Sequence, residues 1–590
     1  MFTHTGFSSR GIGKKLAAGA MAGILLLASC GDSDSDSADA GDDSGETGAA
    51  PSEQTLALRG SRSDSRVSAE GEGVDEDGSL SQDAIEDALS GDDEAMEEAE
   101  DDSGYVAATP VPVTVAPQAQ EPSRIDRPSR TRTPEPDDTN FVDAGVNPFI
   151  DTRDDPQSTF ALDVDTASYT VGRSWINQGV VPDPASVRVE EWVNYFDQDY
   201  APPRNDTFAI YADGVEHPFI DDRTQLLRIG IAARDVSERR RDPVNLTFVV
   251  DTSGSMTQDD RMGLVREAMS LLVDQLDEDD TVAIVAYEDR ARVVMEPRAG
   301  DEHNRIIDAI NTLRPGGSTN AEAGLTLGYD IADEMWRRGD TNRVVLLSDG
   351  VANVGATGPE TILERIGDRA RDDIHLITIG VGFGNFNDNL LEQLANQGDG
   401  WYAYVDTVDE AERIFVDDLV GSLQVVAEDA KVQVEFDSRN VDAYRLIGFE
   451  NRDVADEDFR NDNIDAGEIG AGHTVTALYE VELARGVDPG DGQTIATVNL
   501  RWTEPDARRA DEVNGTITTD VLDTRQSDAS AHYMLTATAA TFAEVLRESR
   551  YVRGVDLDDL ADAAEDAARE IDTDQAWELV ELIEDAIRLL

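Results

Sequence analysis

The chain has 590 residues, of which 123 are acidic and 49 are basic, and its formal net charge is −74. So acidic a balance excludes a general nucleic-acid-binding protein, because contacts to phosphates need clustered Lys and Arg. The length exceeds what one hydrophobic core serves, and about 100–200 residues per domain predicts about three folded units plus tails.

The first thirty residues have the layout of an export signal. A basic start with Arg10, Lys14 and Lys15 precedes the apolar run 16–27, and Leu27-Ala-Ser-Cys30 ends the segment. This ending resembles a bacterial lipobox, which implies that residues 1–29 are a signal peptide and that Cys30 carries lipid in the mature protein. An ordinary secretory signal with a chance cysteine is the alternative. The prediction is a cell-envelope protein, lipid-anchored on the extracytoplasmic side of a bacterial membrane, with more than one acyl chain needed for stable attachment.

Residues 30–140 are predicted to be a disordered tether. They are rich in Asp, Ser and Gly, then in Glu and Asp, and finally in Pro. Low hydrophobicity with high charge cannot bury enough apolar surface to offset the chain entropy. A flexible coil of this length averages roughly 55–60 Å end to end, so the tether would hold the folded part away from the membrane.

Residues 141–242 are predicted to be an N-terminal extension with β-strands. Alternating or continuous apolar residues at 207–212 and 225–232 favour strands, and Trp192 and Phe196 lie one turn apart on the apolar side of a short helix. Asp165-Thr-Ala-Ser168 looks like a cation-binding motif. However, Thr170 stands where a second Ser would be needed and no complementary loops are evident, so we interpret it as a turn or cap.

Residues 243–424 alternate between strands and helices. Near-continuous Val, Ile and Leu runs predict buried strands, and the segments between them have helical periodicity. This pattern predicts a doubly wound, mostly parallel α/β sheet covered by helices on both faces. Strands are predicted at 246–250, 281–286, 291–295, 343–348, 374–380 and 401–405, and helices at 261–276, 301–313, 321–338, 389–397 and 408–425.

Three polar loops of this module place oxygen-bearing side chains at the ends of its strands. Asp251-Thr-Ser-Gly-Ser255 follows the first strand, Thr319 lies in a Gly-rich loop before a helix, and Asp349-Gly follows another buried strand. Ligands bind outside the carboxyl ends of the strands in open α/β sheets, and hard cations need oxygen donors there. The alternative, a simple turn with a helix cap, explains Asp251-Thr-Ser-Gly-Ser255 alone but not three matching loops.

These five positions resemble the metal-ion-dependent adhesion site of von Willebrand factor A domains, whose fold is Rossmann-like. The resemblance implies that the hydroxyls of Ser253, Ser255 and Thr319 coordinate a divalent cation. It also implies that Asp251 and Asp349 balance its charge, partly through water, and that one position stays open for a partner's carboxylate. Mg²⁺ is the expected ion, since it demands near-octahedral oxygen ligands, with Ca²⁺ or Mn²⁺ as alternatives.

The flanks of the module resemble the regions that accompany it in one bacterial subfamily of von Willebrand A proteins. Residues 158–169 and 187–196 carry the resemblance before the module, and 445–452 and 465–475 carry it after the module. Residues 425–525 again show strand periodicity. Our hypothesis is that strands from both flanks pair into one β-sandwich. The α/β module is then either inserted into this sandwich or flanked by it.

Residues 526–590 are predicted to be a helical C-terminal tail. Leu579, Ile583, Ala586 and Leu590 form one helical stripe, which we interpret as packing against the sandwich or neighbouring helices rather than as a partner-binding face.

The sequence offers little that indicates catalysis. The sequence contains no Walker A lysine motif, no His-Glu-x-x-His and no Gly-x-Ser-x-Gly, and Cys30 is its only cysteine. His375 lies in an apolar strand, where a core histidine is the expected role. We therefore predict a binding protein rather than an enzyme, with no small-molecule substrate and with a protein partner that offers Asp or Glu to the metal. An ATPase adaptor and an envelope scaffold with an unused metal site are the alternatives.

Overall fold

The structure is a computed structural model that describes residues 54–55, 59–60, 141–220, 224–237, 241–350, 361–362, 374–382, 387–418, 421, 423–462, 464, 466–505 and 509–590. The predicted signal peptide, Cys30 and most of the predicted tether lie outside these residues. Among the described helices, none combines the length and the apolar character needed to cross a membrane.

Among the described residues, six strands and two helices precede the α/β module. The strands are β1 (Gln54–Thr55), β2 (Arg59–Gly60), β3 (Ile150–Asp151), β4 (Gln157–Ala161), β5 (Phe208–Glu216) and β6 (Gln225–Ala233). The helices are α1 (Ala167–Asn177) and α2 (Val189–Asn194). Trp192 and Phe196 are both buried, as their spacing predicts.

The module itself alternates strands and helices. Its strands are β7 (Val244–Asp251), β8 (Thr281–Tyr287), β9 (Ala291–Ala299), β10 (Thr341–Ser348), β11 (His375–Val381) and β12 (Tyr402–Val405). The helices whose bounds the structure describes are α3 (Arg261–Val273), α4 (His303–Ile310), α5 (Ala321–Met335), α6 (Asp388–Asn396) and α7 (Val408–Glu412). The last helix departs from the prediction, because its winding changes to a π-helical turn at Arg413–Asp417 and a strand already begins at Val425.

In the part of the chain that the structure describes, six strands and three helices follow the module. The strands are β13 (Val425–Phe436), β14 (Val441–Ile447), β15 (Gly467–Gly470), β16 (Thr474–Leu483), β17 (Thr494–Glu504) and β18 (Arg509–Thr518). The helices are α8 (Ala531–Leu546), α9 (Leu557–Ile571) and α10 (Asp574–Leu589).

The module's sheet has the strand order β12-β11-β10-β7-β8-β9. All neighbouring strands are parallel except the edge pair β8 and β9. Every residue of β7 and β11 is buried, because helices cover both faces of the sheet, and two apolar cores form on its two sides. The predicted doubly wound, mostly parallel sheet is confirmed.

The two flanks of the module form one β-sandwich. One sheet has the order β1-β5-β6-β16-β14-β3, and the other has the order β15-β13-β17-β18-β2, with β4 also paired to β13. Each sheet therefore combines strands from before and after the module, and the inner faces share one core that includes Phe208, Ile229, Val432 and Leu500. At the junction, Gln424 Nε2 donates to Asp242 Oδ2 at 3.1 Å, so the chain leaves and re-enters the sandwich at neighbouring points.

The C-terminal helices pack on the outer face of the sandwich, together with α1 and α2. Leu579, Ile583 and Ala586 are buried there with Leu226 and Leu478 of the sheet. This packing agrees with the sequence interpretation of the stripe. Leu590 does not share it, because this last residue is 64% exposed, beyond the end of α10.

Candidate metal centre

Asp251 ends β7, the strand between β10 and β8 in the module's sheet. Its carboxylate is fully buried: Oδ1 accepts the backbone N–H of Ser253 at 2.7 Å, and Oδ2 accepts the hydroxyl of Ser348 at 2.9 Å. The apolar strand thus carries a fixed carboxylate to the carboxyl edge of the sheet, where ligands of such sheets bind.

The hydroxyls of Ser253 and Ser255 lie side by side in the loop that follows. Their Oγ atoms are 2.9 Å apart and share a hydrogen bond. Ser253 is buried and Ser255 is half-buried, with Gly254 exposed between them, so this loop forms the solvent-facing side of the cluster. Neighbouring ligands of an octahedral ion bound at about 2.0–2.1 Å are about 2.9 Å apart, which matches this spacing of the two oxygens.

The loop that carries Thr319 is held against the first loop by two backbone hydrogen bonds. Gly254 N–H donates to the Gly317 carbonyl at 3.1 Å, and Gly316 N–H donates to the Thr252 carbonyl at 2.8 Å. Gly317 has a φ of +87°, a conformation that glycine adopts without strain. Thr319, two residues later, is buried. The two loops therefore form one structure at the edge of the sheet.

Asp349 follows β10 and is fully buried. Its Oδ2 accepts from Nη1 of Arg261 at 2.7 Å, and this arginine, at the start of α3, is itself buried. Gly350, with a φ of +76°, lies so close to the backbone of Asn387 that a Cβ would come within 2.8 Å of the Asn387 carbonyl. The backbone after Asp349 is thus tightly packed, and Arg261 holds the carboxylate.

The cluster contains two buried carboxylates, those of Asp251 and Asp349, and one guanidinium beside them, that of Arg261. Negative charge therefore exceeds positive charge among these groups. Burial raises the pKa of Asp251 to about 7, and the nearby negative charge of Asp349 adds to the effect. The donor atoms are all oxygens, the ligands that a hard divalent cation prefers. The residues present therefore fit such an ion, which would be held by Asp251, Ser253, Ser255, Thr319 and Asp349.

The structure brings the five sequence-predicted residues to one edge of the sheet. Sequence reasoning missed Arg261 and Ser348, which contact the two aspartates directly. It also missed Tyr287, a buried residue whose pKa is raised by burial and then by the charge of Asp251. Of these three residues, only Ser348 could have been found from the sequence, because its hydroxyl directly precedes Asp349. Arg261 and Tyr287 become neighbours of the site only through the fold.

A relative shows the family to which the chain belongs. YfbK of Escherichia coli (strain K12) is 32% identical over 485 residues, which cover 78% of this chain and 83% of the relative. The chain belongs to the YfbK-related von Willebrand factor type A proteins. The model described as von Willebrand factor type A domain matches residues 245–432, one described as von Willebrand factor matches 135–228, and one for the C-terminal region of YfbK matches 421–589.

Similarity to other von Willebrand A proteins is more limited. Inter-alpha-trypsin inhibitor heavy chain H3 of Rattus norvegicus is 30% identical over 169 residues, which cover 27% of this chain and 19% of that protein. Among solved structures, a von Willebrand factor type A protein from Catenulispora acidiphila has 16% identity and a TM-score of 0.39, covering 64% of this chain and 89% of that one. Mussel byssus proximal thread matrix protein 1 was solved with a zinc-occupied metal-ion-dependent adhesion site (MIDAS) motif. It has 23% identity and a TM-score of 0.26, and the match covers 32% of this chain and 46% of that one.

Von Willebrand A domains commonly mediate metal-dependent protein binding or adhesion, and they typically do so with a divalent cation at this site. The chain's von Willebrand A domain is therefore of a kind in which a divalent-cation site is typical.

Proposed function

We propose that the protein is a binding protein of the cell envelope that uses a divalent cation to bind an Asp or Glu side chain of a partner protein. The observation that carries the proposal is the convergence of five oxygen-bearing side chains from three loops on the carboxyl edge of one sheet. Because Ser255 is half-buried and Gly254 is exposed, the cluster is accessible to a partner from the solvent side.

The spacing of the two serine oxygens favours a small ion. The observed 2.9 Å is about the edge of an octahedron with bonds of about 2.05 Å, which is the near-octahedral geometry that Mg²⁺ demands, whereas Ca²⁺ takes larger and more flexible ligand sets. Mg²⁺ is therefore the ion we propose, and Mn²⁺ is a suitable probe. When the ion is bound, the two hydroxyl hydrogens must point outward, and the hydrogen bond between Ser253 and Ser255 is given up.

Arg261 makes the loaded site positive. Asp251 and Asp349 carry two negative charges, Arg261 carries one positive charge, and a divalent ion adds two, so the buried groups sum to one positive charge. A carboxylate from a partner neutralises that charge. Attraction at such close range is effective even for a chain with a net charge of −74, because the wider repulsion between two acidic proteins is screened beyond about 8 Å.

The proposal also includes where the protein is located and that it is not an enzyme. The export-signal layout and Cys30 support lipid anchoring on the extracytoplasmic side of the membrane. The lack of known catalytic motifs in the sequence supports a binding role rather than an enzymatic one. A protein surface is the expected ligand, and no small-molecule substrate is proposed.

The test compares the wild-type chain with Asp251→Asn and Asp349→Asn. We expect calorimetry to show one Mg²⁺ or Mn²⁺ bound at the centre in the wild type and its loss in either variant, with circular dichroism unchanged. Immobilised wild-type chain should retain envelope proteins in Mg²⁺ but not in EDTA, and the variants should retain none in either buffer. Capture that persists in both variants and in EDTA would overturn the proposal, and a wild-type chain without metal binding would favour a scaffold.

A further inference from the structure

A second group of buried acids lies in the N-terminal extension, apart from the candidate metal centre. Asp163 follows β4, and Glu190 and Glu191 are neighbours on α2. None of the three is more than 4% exposed, and one oxygen from each lies within 4.8 Å of the other two. Three carboxylates buried this close together repel one another strongly unless something between them carries positive charge.

Glu190 has a buried oxygen without a partner. Its Oε2 accepts the backbone N–H of Phe449 at 3.0 Å, whereas its Oε1 is fully buried and accepts no hydrogen bond from any described residue. The other two carboxylates are held in place: Asp163 accepts from Arg452 Nε at 2.9 Å, and Glu191 accepts from the backbone N–H of Ser168 at 2.7 Å. The unpartnered oxygen therefore belongs to a group whose neighbours are rigidly positioned.

The arginines nearby do not balance the charge. Seven carboxylates interact in this region, those of Asp163, Asp165, Glu190, Glu191, Asp388, Glu392 and Glu450. They face three guanidinium groups, those of Arg188, Arg452 and Arg547, and the last is shared with Glu544. Burial and the neighbouring carboxylates raise the pKa of Glu190 to about 7, while burial raises that of Glu191 to about 8.

We propose that Asp163, Glu190 and Glu191 bind a second divalent cation and that Ca²⁺ is the preferred ion. Ca²⁺ binds carboxylate oxygens at about 2.3–2.6 Å, so its ligands can be up to about 4.6–5.2 Å apart, and three oxygens that all lie within 4.8 Å of one another are close enough to share one such ion. Mg²⁺ usually keeps several of its waters and is bound through one or two carboxylates, so a buried set of three carboxylates favours Ca²⁺.

The position of the site indicates what the ion would do. Asp163 and Asp165 line a cavity of about 260 Å³ that also borders Trp401 and Arg452, so one of the three proposed ligands lies at the wall of this cavity. Asp165 accepts the backbone N–H of Tyr402 in β12 at 2.9 Å, so the segment after β4 is attached to the α/β module. An ion bound to Asp163 and α2 would fasten the N-terminal extension at the point where it meets the module.

The experiment uses Ca²⁺ itself as the probe, with the full chain in the Asp251→Asn background so that the candidate metal centre is silent. We expect calorimetry to detect one Ca²⁺ bound at this site and thermal unfolding to shift upward with Ca²⁺. Adding Glu190→Gln, which keeps the shape of the side chain, should weaken Ca²⁺ at least tenfold. Glu457→Gln, at an exposed acid, is the matched control and should change nothing.

Two outcomes would overturn the proposal. One is the absence of saturable Ca²⁺ binding in the Asp251→Asn background, which would mean that protons or water compensate the buried acids. The other is Ca²⁺ binding that Glu190→Gln leaves intact, which would place the ion on other acidic residues. If Glu190→Gln does not fold, Tb³⁺ luminescence of the Asp251→Asn chain decides. Trp192 and Glu191 both contact Ser168, and Trp401 borders the same cavity as Asp163, so excitation of tryptophan should sensitise Tb³⁺ bound here, and the absence of sensitised emission would overturn the proposal.

Discussion

At the scale of single residues, Arg261 determines the charge of the candidate metal centre. Its guanidinium is buried against Asp349, and only an ion or a partner carboxylate changes the balance further. In Arg261→Gln the positive charge beside Asp349 is removed and a polar side chain remains. We expect Mn²⁺ alone to bind about tenfold more tightly, since about 1.4 kcal/mol of repulsion is removed, and acetate to bind the loaded site more weakly.

Calorimetric titration of Mn²⁺, followed by acetate, measures both effects. Arg298→Gln is the matched control, because Arg298 is exposed on β9 and should leave both affinities unchanged. Weaker Mn²⁺ binding in Arg261→Gln, with the fold intact, would mean that Arg261 serves to position Asp349 rather than to limit the negative charge.

The ligand set was predictable because its residues are local to the ends of strands that the sequence reveals. Asp251 directly follows a continuous apolar run, and Asp349 follows another, so their edge of the sheet could be inferred. Arg261 could not be inferred in this way. Its guanidinium reaches Asp349 only because α3 packs beside β10's end, and an arginine at a helix start has no distinguishing sequence pattern.

At the scale of elements, close packing of α5 on the sheet explains residues that periodicity does not. Gly324 faces the ring of Tyr287, and Gly328 faces Val249, and a Cβ at either position would overlap those side chains. The sequence predicted the helix α5, but its two glycines did not reveal how closely the helix packs on the sheet. The close approach brings the start of α5, just after Thr319, to the carboxyl edge of the strands.

Strand β11 carries a buried histidine that makes stability depend on pH. Burial, with Arg343 nearby, lowers the pKa of His375 from 6.5 to about 3, and its Nδ1 shares a hydrogen bond with the Asp399 carbonyl. The unfolded chain binds this proton below about pH 6.5 and the folded chain does not, so stability falls as pH drops from 6.5 toward 3. The expected slope is up to about 1.4 kcal/mol per pH unit.

Urea unfolding at several pH values between 7.5 and 4.5 checks this slope. His375→Asn, whose amide nitrogen lies at the same number of bonds from Cα as Nδ1, retains a donor toward the Asp399 carbonyl and removes the titrating group, so we expect its stability to fall less steeply with acid than that of the wild type. Equal slopes in the two proteins would show that other groups dominate the acid sensitivity. The role of His375 as a core residue follows from its place in an apolar run, whereas the size of its pKa change depends on packing that the sequence does not show.

At the scale of the whole molecule, the sandwich is assembled from distant parts of the chain. β6 pairs with β16 and β4 pairs with β13, so strands more than 200 residues apart in sequence are neighbours in the fold. Period-two patterns predicted the strands, and their occurrence on both sides of the module suggested the shared sandwich. The strand order was not predictable, since apolar alternation identifies the buried face but not the partner strand.

The insertion predicts that the sandwich folds without the module. Asp242 and Gln424 are hydrogen-bonded, so a short Gly/Ser linker can replace residues 243–424 without displacing β6 or β13. We expect the linked chain to keep its β-sheet circular dichroism and to unfold cooperatively. It should be less stable than the full chain, because α1 loses the packing of Ala167 and Val171 on the module and Arg173 loses Asp406 and Glu410.

The matched control is the fragment 425–590, which retains the six C-terminal strands but lacks β4, β5 and β6. Without β6, the edge of β16 is unpaired and Val475, Ala477 and Tyr479 lose part of their core, so this fragment should not unfold cooperatively. If instead both chains are unfolded, the module is needed to bring the flanks together. In that case the ion pairs of Arg173 across the junction, rather than the strand pairing alone, hold the sandwich in its folded form.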